Sequence, residues 1–125
     1  MTDRLELRGN DSALIDRAML RDLCVECGAD LVGPLVACFR EEGREHLEAL
    51  ADAAELSDTD AARQALHALR GGAMNLGLSP LAAAAQELED AAHNGTVPAK
   101  AQRTSLAILF ERSLAAVAEE ALPPS

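Results

Sequence analysis

Aromatic residues are almost missing from this chain: of its 125 residues only Phe39 and Phe110 are aromatic, and there is no Trp or Tyr. A chain this poor in rings has no platforms on which nucleic-acid bases could stack. Its core must be built from Leu, Ala, Val and Met, a set that suits closely packed helices and supplies few strand-forming residues. Positive charge is also scarce, with 11 Lys and Arg against 21 Asp and Glu and a net charge of −10. Neutralising a phosphate backbone needs clustered cations, so nucleic acid is excluded as the main partner. No apolar run approaches the roughly 20 residues that span a bilayer. The opening Met1-Thr2-Asp3-Arg4-Leu5 is polar, without the apolar stretch of a signal peptide. A soluble, cytoplasmic protein without a membrane partner is expected. No P-loop or glycine-rich nucleotide fingerprint is present. Cysteine is limited to Cys24, Cys27 and Cys38. The Cys24-x-x-Cys27 spacing lacks the second ligand pair of a structural zinc and the βαβ setting of a redox motif, so all three are read as reduced thiols and no metal site is expected.

What the chain does have is helical punctuation. Hydrophobic residues make up 49% and charged residues 26%, enough apolar material for one packed domain, placed at 12–122 between a polar lead (1–11) and a short tail (123–125). Leu14, Ile15, Met19, Leu20 and Leu23 recur at helical spacing from about Ser12 to Cys27, and Gly28 ends that first short helix. A second helix is predicted from Asp30 to Leu56, with Leu31, Leu35, Cys38, Phe39, Leu47, Leu50 and Ala54 as its buried stripe and Pro34 tolerated in its first turns. Ser57-Asp58-Thr59-Asp60 caps a third helix running to Leu76, closed by Gly77. Ser79 as N-cap and Pro80 as first helical residue restart the chain to about His93, where Asn94-Gly95 stops it. Thr96-Val97-Pro98 opens a fifth helix carrying Leu106, Leu109, Phe110, Leu114 and Val117, and Pro123-Pro124 stops it. Short connections between long amphipathic helices make neighbours antiparallel. The expected fold is all-α: an up-down-up-down four-helix bundle with an additional short N-terminal helix covering one end.

Chemistry concentrates around His67. The stretch Leu66-His67-Ala68-Leu69-Arg70-Gly71-Gly72-Ala73 continues to Met74-Asn75-Leu76-Gly77. Leu66, Leu69, Ala73 and Leu76 form its apolar stripe, and His67 lies about 100° round from Leu66, at the edge of the bundle and within reach of solvent. Gly71 and Gly72 occupy a helix interior, where each costs about 1 kcal/mol relative to Ala. Gly71 is one turn beyond His67 on the same face, leaving room beside the imidazole for a phosphoryl group and an incoming protein surface. Arg63 and Arg70, four residues before and three after His67, make a local positive spot in an acidic protein, and a guanidinium fork suits phosphate oxygens. Gln64 and Gly72 complete the partner- and phosphate-supporting set on this helix.

The turn between the third and fourth helices centres near Leu78, with His67 eleven residues before it and Glu89 eleven after it. In an antiparallel hairpin these two positions come to the same height. A Glu89 carboxylate accepting from Nδ1–H would fix the tautomer and leave Nε2 as the nucleophile. Gln86, one turn earlier, is the alternative partner.

These residues resemble the core pattern of the histidine-containing phosphotransfer (HPt) family: a His, two residues, Lys, Gly, then small residues leading to Leu-Gly. Here it reads His67, Arg70, Gly71, Gly72 and Asn75-Leu76-Gly77, followed by Leu81, Leu88 and Glu89. The resemblance implies that His67 is phosphorylated, that Arg70 supports the phosphate, that Gly71 admits the partner and that Glu89 orients the imidazole. Arg70 replaces the family's usual Lys, keeping the charge but not the shape. It further implies reversible transfer between His67 and the aspartate of a receiver domain, on a response regulator or a hybrid histidine kinase. Mg²⁺ is expected on that receiver, with no cofactor and no ATP-dependent kinase activity in this chain, which is expected to be a monomer. Two rivals stand beside it. One is a binding-only helical adaptor on the same fold. The other is a metal-binding bundle, for which Glu42-Gly43-Arg44-Glu45-His46 offers only one loose Glu-x-x-His approximation.

Overall fold

The chain alternates between helices and very tight turns, and the turns set the architecture. The computed structural model describes residues 14–121. The polar lead 1–11, the predicted helix start at Ser12 and the Pro123-Pro124 stop lie outside the described residues. Among the described residues five helices follow one another: α1 (Arg17–Cys27), α2 (Ala29–Glu55), α3 (Thr59–Asn75), α4 (Ser79–His93) and α5 (Lys100–Ala121). Helices α2 to α5 pack as the expected four-helix bundle, α3 lying between α2 and α4, and α2 against α5.

The turns α2–α3, α3–α4 and α4–α5 are all begun by one device. At the end of α3, Gly77 donates to the Met74 carbonyl (3.1 Å) and Leu78 to the Ala73 carbonyl (2.8 Å), with Gly77 at φ +73°. This Schellman arrangement satisfies the orphan carbonyls and reverses the chain within two residues. Gly95 and Thr96 do the same after α4. After α2, Ser57 and Asp58 do so, and Ser57 takes the left-handed conformation (φ +53°) that glycine adopts more easily.

Helix starts follow the sequence less uniformly. Asp58 caps α3 as expected, its carboxylate accepting from the Ala61 N–H (3.1 Å), and Asp16 caps α1 through the Met19 N–H (3.1 Å). The first helix therefore begins at Arg17, with Leu14 and Ile15 buried ahead of it. Ser79 is not the cap of α4. Leu78 holds that place and Ser79 is already helical, because Leu78, fully buried, both ends the α3 turn and accepts from the Ala82 N–H to start α4. α5 starts at Lys100, two residues after Pro98, where Gln102 Oε1 accepts from the Ala99 N–H (2.8 Å).

The core is aliphatic, as the composition requires. Leu66, Leu69, Ala73, Leu81, Ala85, Leu106, Phe110, Leu114 and Val117 are all buried in one cluster. The predicted stripe of α2 is corrected in its first half: Val32, Val36 and Phe39 face the core, whereas Leu31, Leu35 and Cys38 are exposed and Leu47 and Ala54 are half-buried. The line of closest approach runs through Gly43, which packs under the Phe110 ring. Stepping back from Gly43 by four, three and four residues gives Phe39, Val36 and Val32. Phe39 and Phe110 meet edge to face, centroids 5.4 Å apart, at the centre of the bundle. α1 covers one end, its entry tied by the Asp16 N–H to the Gly77 carbonyl (2.6 Å).

Candidate functional site

The α3–α4 hairpin brings together residues 22 positions apart in the chain. His67 projects from the middle of α3 with its side chain 66% exposed, and its Nδ1 lies 3.0 Å from Glu89 Oε2 on α4. Arg70, one turn further along α3, donates from Nε to Glu89 Oε1 (2.9 Å). Its Nη2 lies 2.9 Å from His67 Nδ1, and its Nη1 donates to Met74 Sδ (3.6 Å). Both Glu89 and Arg70 are largely covered, at 16% and 23% exposure. The imidazole therefore stands in solvent on a base of partly desolvated charge.

Partial burial pushes the Glu89 carboxyl upward, but the hydrogen bonds from Arg70 and His67, with their charges, outweigh it and hold the group below its ordinary value. Glu89 is thus a carboxylate at neutral pH. Nδ1 faces both a carboxylate oxygen and a guanidinium nitrogen, and can either donate to the first or accept from the second.

Of the two candidates for the imidazole's partner, the fold brings in Glu89, while Gln86 is exposed one turn away. Gly71 is exposed, and a side-chain carbon there would meet nothing within 4 Å. Gly72, expected to share that role, faces inward instead. A Cβ at 72 would lie 2.7 Å from Phe39 Cδ1 and closer still to Cε1, so its bareness serves the α2–α3 packing. Arg63 is turned toward Asp60 in a loose, exposed ion pair (3.7 Å) and does not join the Glu89 cluster; Gln64 is exposed on the outer face of α3. Met74 was missed by the sequence reading, although its position four residues after Arg70 on the same face signals the contact. His46 is half-buried on α2, and His93 is exposed at the end of α4. Among the described residues no three His, Cys, Asp or Glu side chains gather as a metal site.

The arrangement can present an imidazole nitrogen to a macromolecule, with the other nitrogen held by charge from behind. The model of one protein family, the Hpt domain, matches residues 34–120, which include every element of this cluster. The chain belongs to the Hpt domain family. Hpt membership carries a histidine-phosphotransfer role in a phosphorelay. The chain is also similar to histidine-containing phosphotransfer protein B (HptB) from Pseudomonas aeruginosa PAO1, whose crystal structure superposes with a TM-score of 0.77 at 28% identity. That match covers 86% of this chain and 94% of the HptB chain. No curated protein sequence matches this Hpt chain. No helix among the described residues is long and apolar enough to cross a membrane.

Proposed function

We propose that this Hpt protein carries a phosphoryl group on His67 Nε2 and exchanges it with the aspartate of a receiver domain, on a response regulator or a hybrid histidine kinase. The observation that carries this reading is the exposed imidazole with its Nδ1 side engaged by Glu89 and an unobstructed helix surface at Gly71 beside it. A proton held on Nδ1 leaves a lone pair on Nε2. In transfer toward this chain, Nε2 attacks phosphorus in line, the N–P bond forms, the acyl phosphate P–O bond breaks and the aspartate leaves as carboxylate. The reverse reaction retraces these steps. Little covalent machinery is needed on the histidine side, since positioning and charge stabilisation dominate such transfers. Mg²⁺ belongs to the receiver in this reading, and the chain acts as a carrier without nucleotide chemistry of its own.

A docking face adjoins the imidazole. Arg44 on α2 pairs with Glu111 on α5 (3.1 Å), which turns that flank of α2 toward α5. Leu31, Leu35 and Cys38 are exposed on the other flank of α2. Gly71 and Met74, one and two turns along α3 from His67, are exposed and offer apolar surface beside the nucleophile to a partner that must exclude water from the transferring group.

The test is phosphoryl transfer from radiolabelled, phosphorylated receiver domains, with Mg²⁺, to wild type and His67→Gln in parallel. Acid-labile, base-stable label on wild type alone is expected. Label retained by the variant would move the site to His46 or His93. Binding without label from any receiver in a cognate panel would make the chain an adaptor.

A further inference from the structure

Helix α5 is apolar toward the core and nearly free of charge toward solvent. Its inward stripe is Leu106, Phe110, Leu114 and Val117, all buried. Over the same turns its outward side carries Ala101, Thr104, Ser105 and Ile108, all exposed, and no residue from Thr104 to Phe110 is charged. Ile108 is a large aliphatic side chain left 54% exposed. On α2, by contrast, the surface around Gly43 carries Glu41, Glu42, Arg44, Glu45 and Glu48, all exposed. A helix that borders water places its charges opposite the core, and one that is apolar or neutral all round is ordinarily covered.

A groove runs beside this outward side. The Gly43–Phe110 approach holds α5 against α2, and α5 pairs less extensively with α4. The two helices part along a groove of about 320 Å³ lined by Ala84 and Leu88 of α4 and by Leu106 and Leu109 of α5, with Glu87 as its charged member. Ser105 also lines it, and Ile108 stands three residues further along the same helix. A projecting aliphatic group and an apolar recess thus lie side by side.

That combination selects the occupant. A two-fold contact sets one patch against itself, so the patch must hold both the projecting group and the recess that receives it. Charge makes the same choice. A chain of net charge −10 is repelled by a copy of itself over most of its surface, and the approach is least opposed where neither copy carries charge. A cationic partner would instead be attracted to the acidic side of α2.

We propose that two copies of this chain pair across a two-fold axis beside α5, each Ile108 entering the α4–α5 groove of the other, in place of the monomer expected from the sequence. Glu89 reaches from α4 toward His67 on α3, whereas Glu87 and Leu88 line the groove on the α5 side. Both imidazoles therefore stay open in the pair. One particle presents two His67 side chains and, toward a partner that is itself paired, gains a second linked contact.

The experiment is sedimentation equilibrium of the full chain from micromolar to millimolar concentration, with reductant present so that the exposed Cys38 cannot cross-link. Wild type is compared with Ile108→Glu, Ser105→Glu and Leu35→Glu, and circular dichroism checks the fold of each. Wild type is expected to pass from the mass of one chain to that of two as concentration rises. Ile108→Glu and Ser105→Glu each set like charges against one another at the contact and should raise the dissociation constant by about a hundredfold or more. Leu35→Glu, on the exposed first half of α2, should pair like wild type. Ile108→Glu should still accept phosphoryl groups at the wild-type rate per chain.

A wild type that stays a single chain up to millimolar concentration overturns the proposal and leaves the groove to a different protein. A pair that survives Ile108→Glu, or that Leu35→Glu dissolves, has its contact elsewhere and overturns it as well. A folded Ile108→Glu that loses transfer would assign this side of α5 to the receiver instead of a second copy. The mass measurement uses no phosphoryl donor, so it stands or falls apart from the transfer reading.

Discussion

Gly71 and Gly72 are neighbours on α3 and lack the same side chain for opposite reasons. A methyl group at 71 would point into open space beside His67, whereas one at 72 would collide with the Phe39 ring. The first glycine accepts a helix-propensity cost to keep a surface bare. The second removes volume so that α2 can approach α3 and seat an aromatic ring beneath the site. Sequence alone presents them as a pair, and the helical rotation of about 100° per residue separates them into an outward and an inward role.

Four measurements would break or sharpen that contrast. The largest effect is expected from Gly71→Leu, which should abolish receiver docking and transfer while leaving the helical content and melting temperature near wild type. Undiminished transfer would show that the partner approaches from another side. Next is Gly72→Ala, expected to lower unfolding free energy by about 1–3 kcal/mol, the usual cost of overpacking a well-filled core. In a double-mutant cycle, adding Phe39→Leu should cost less in the Gly72→Ala background than in wild type. Additive losses would refute the Phe39–Gly72 contact. Smaller and opposite in sign, Gly71→Ala should stabilise the protein by up to about 1 kcal/mol in chemical denaturation, because it adds helix propensity and meets nothing. A destabilised Gly71→Ala would mean that position 71 is not open.

The smallest effect concerns the charge behind the open face. The folded Glu89 value lies below the unfolded one. Its contribution to stability is therefore complete above the ordinary glutamate value of about 4.3 and is lost as pH falls through the folded value. The stability difference between wild type and Glu89→Gln should stay level from neutral pH to about pH 5 and shrink below it. A difference unchanged down to about pH 3 would mean that Glu89 is not the ionised partner of Arg70 and His67.

The approach of Glu89 to His67 was legible because the α3–α4 turn is short and its halves are symmetric about Leu78. Helix number and order were legible because Gly28, Gly77 and Gly95 each follow a helix end at a change of apolar phase. The α2 stripe was misread for a specific reason: its closest approach runs through Gly43, and an apolar count assigns no weight to a residue without a side chain. Leu31 and Leu35 then drew the stripe one residue away from Val32 and Val36. Gly72 was misread in the same way, since its partner Phe39 belongs to another helix and no local rule connects them. Arg63 shows a third limit. Spacing put it within reach of His67, but Asp60, three residues back on the same helix, offers opposite charge. Ser79 looked like a cap because the buried Leu78 had no sequence signal marking it as the end of one helix and the start of the next.

The two-residue reversal at Gly77 also has a kinetic consequence. α3 and α4 share the most extensive pairing in the bundle, and the chain between them is almost as short as a reversal allows. Closing this hairpin costs little loop entropy, and its contacts are close in sequence, the condition under which helical domains fold fast. His67, Arg70 and Glu89 all lie on that one hairpin, so the apparatus that holds the imidazole can assemble before α5 closes the bundle. Destabilising changes confined to α5 should then speed unfolding more than they slow folding.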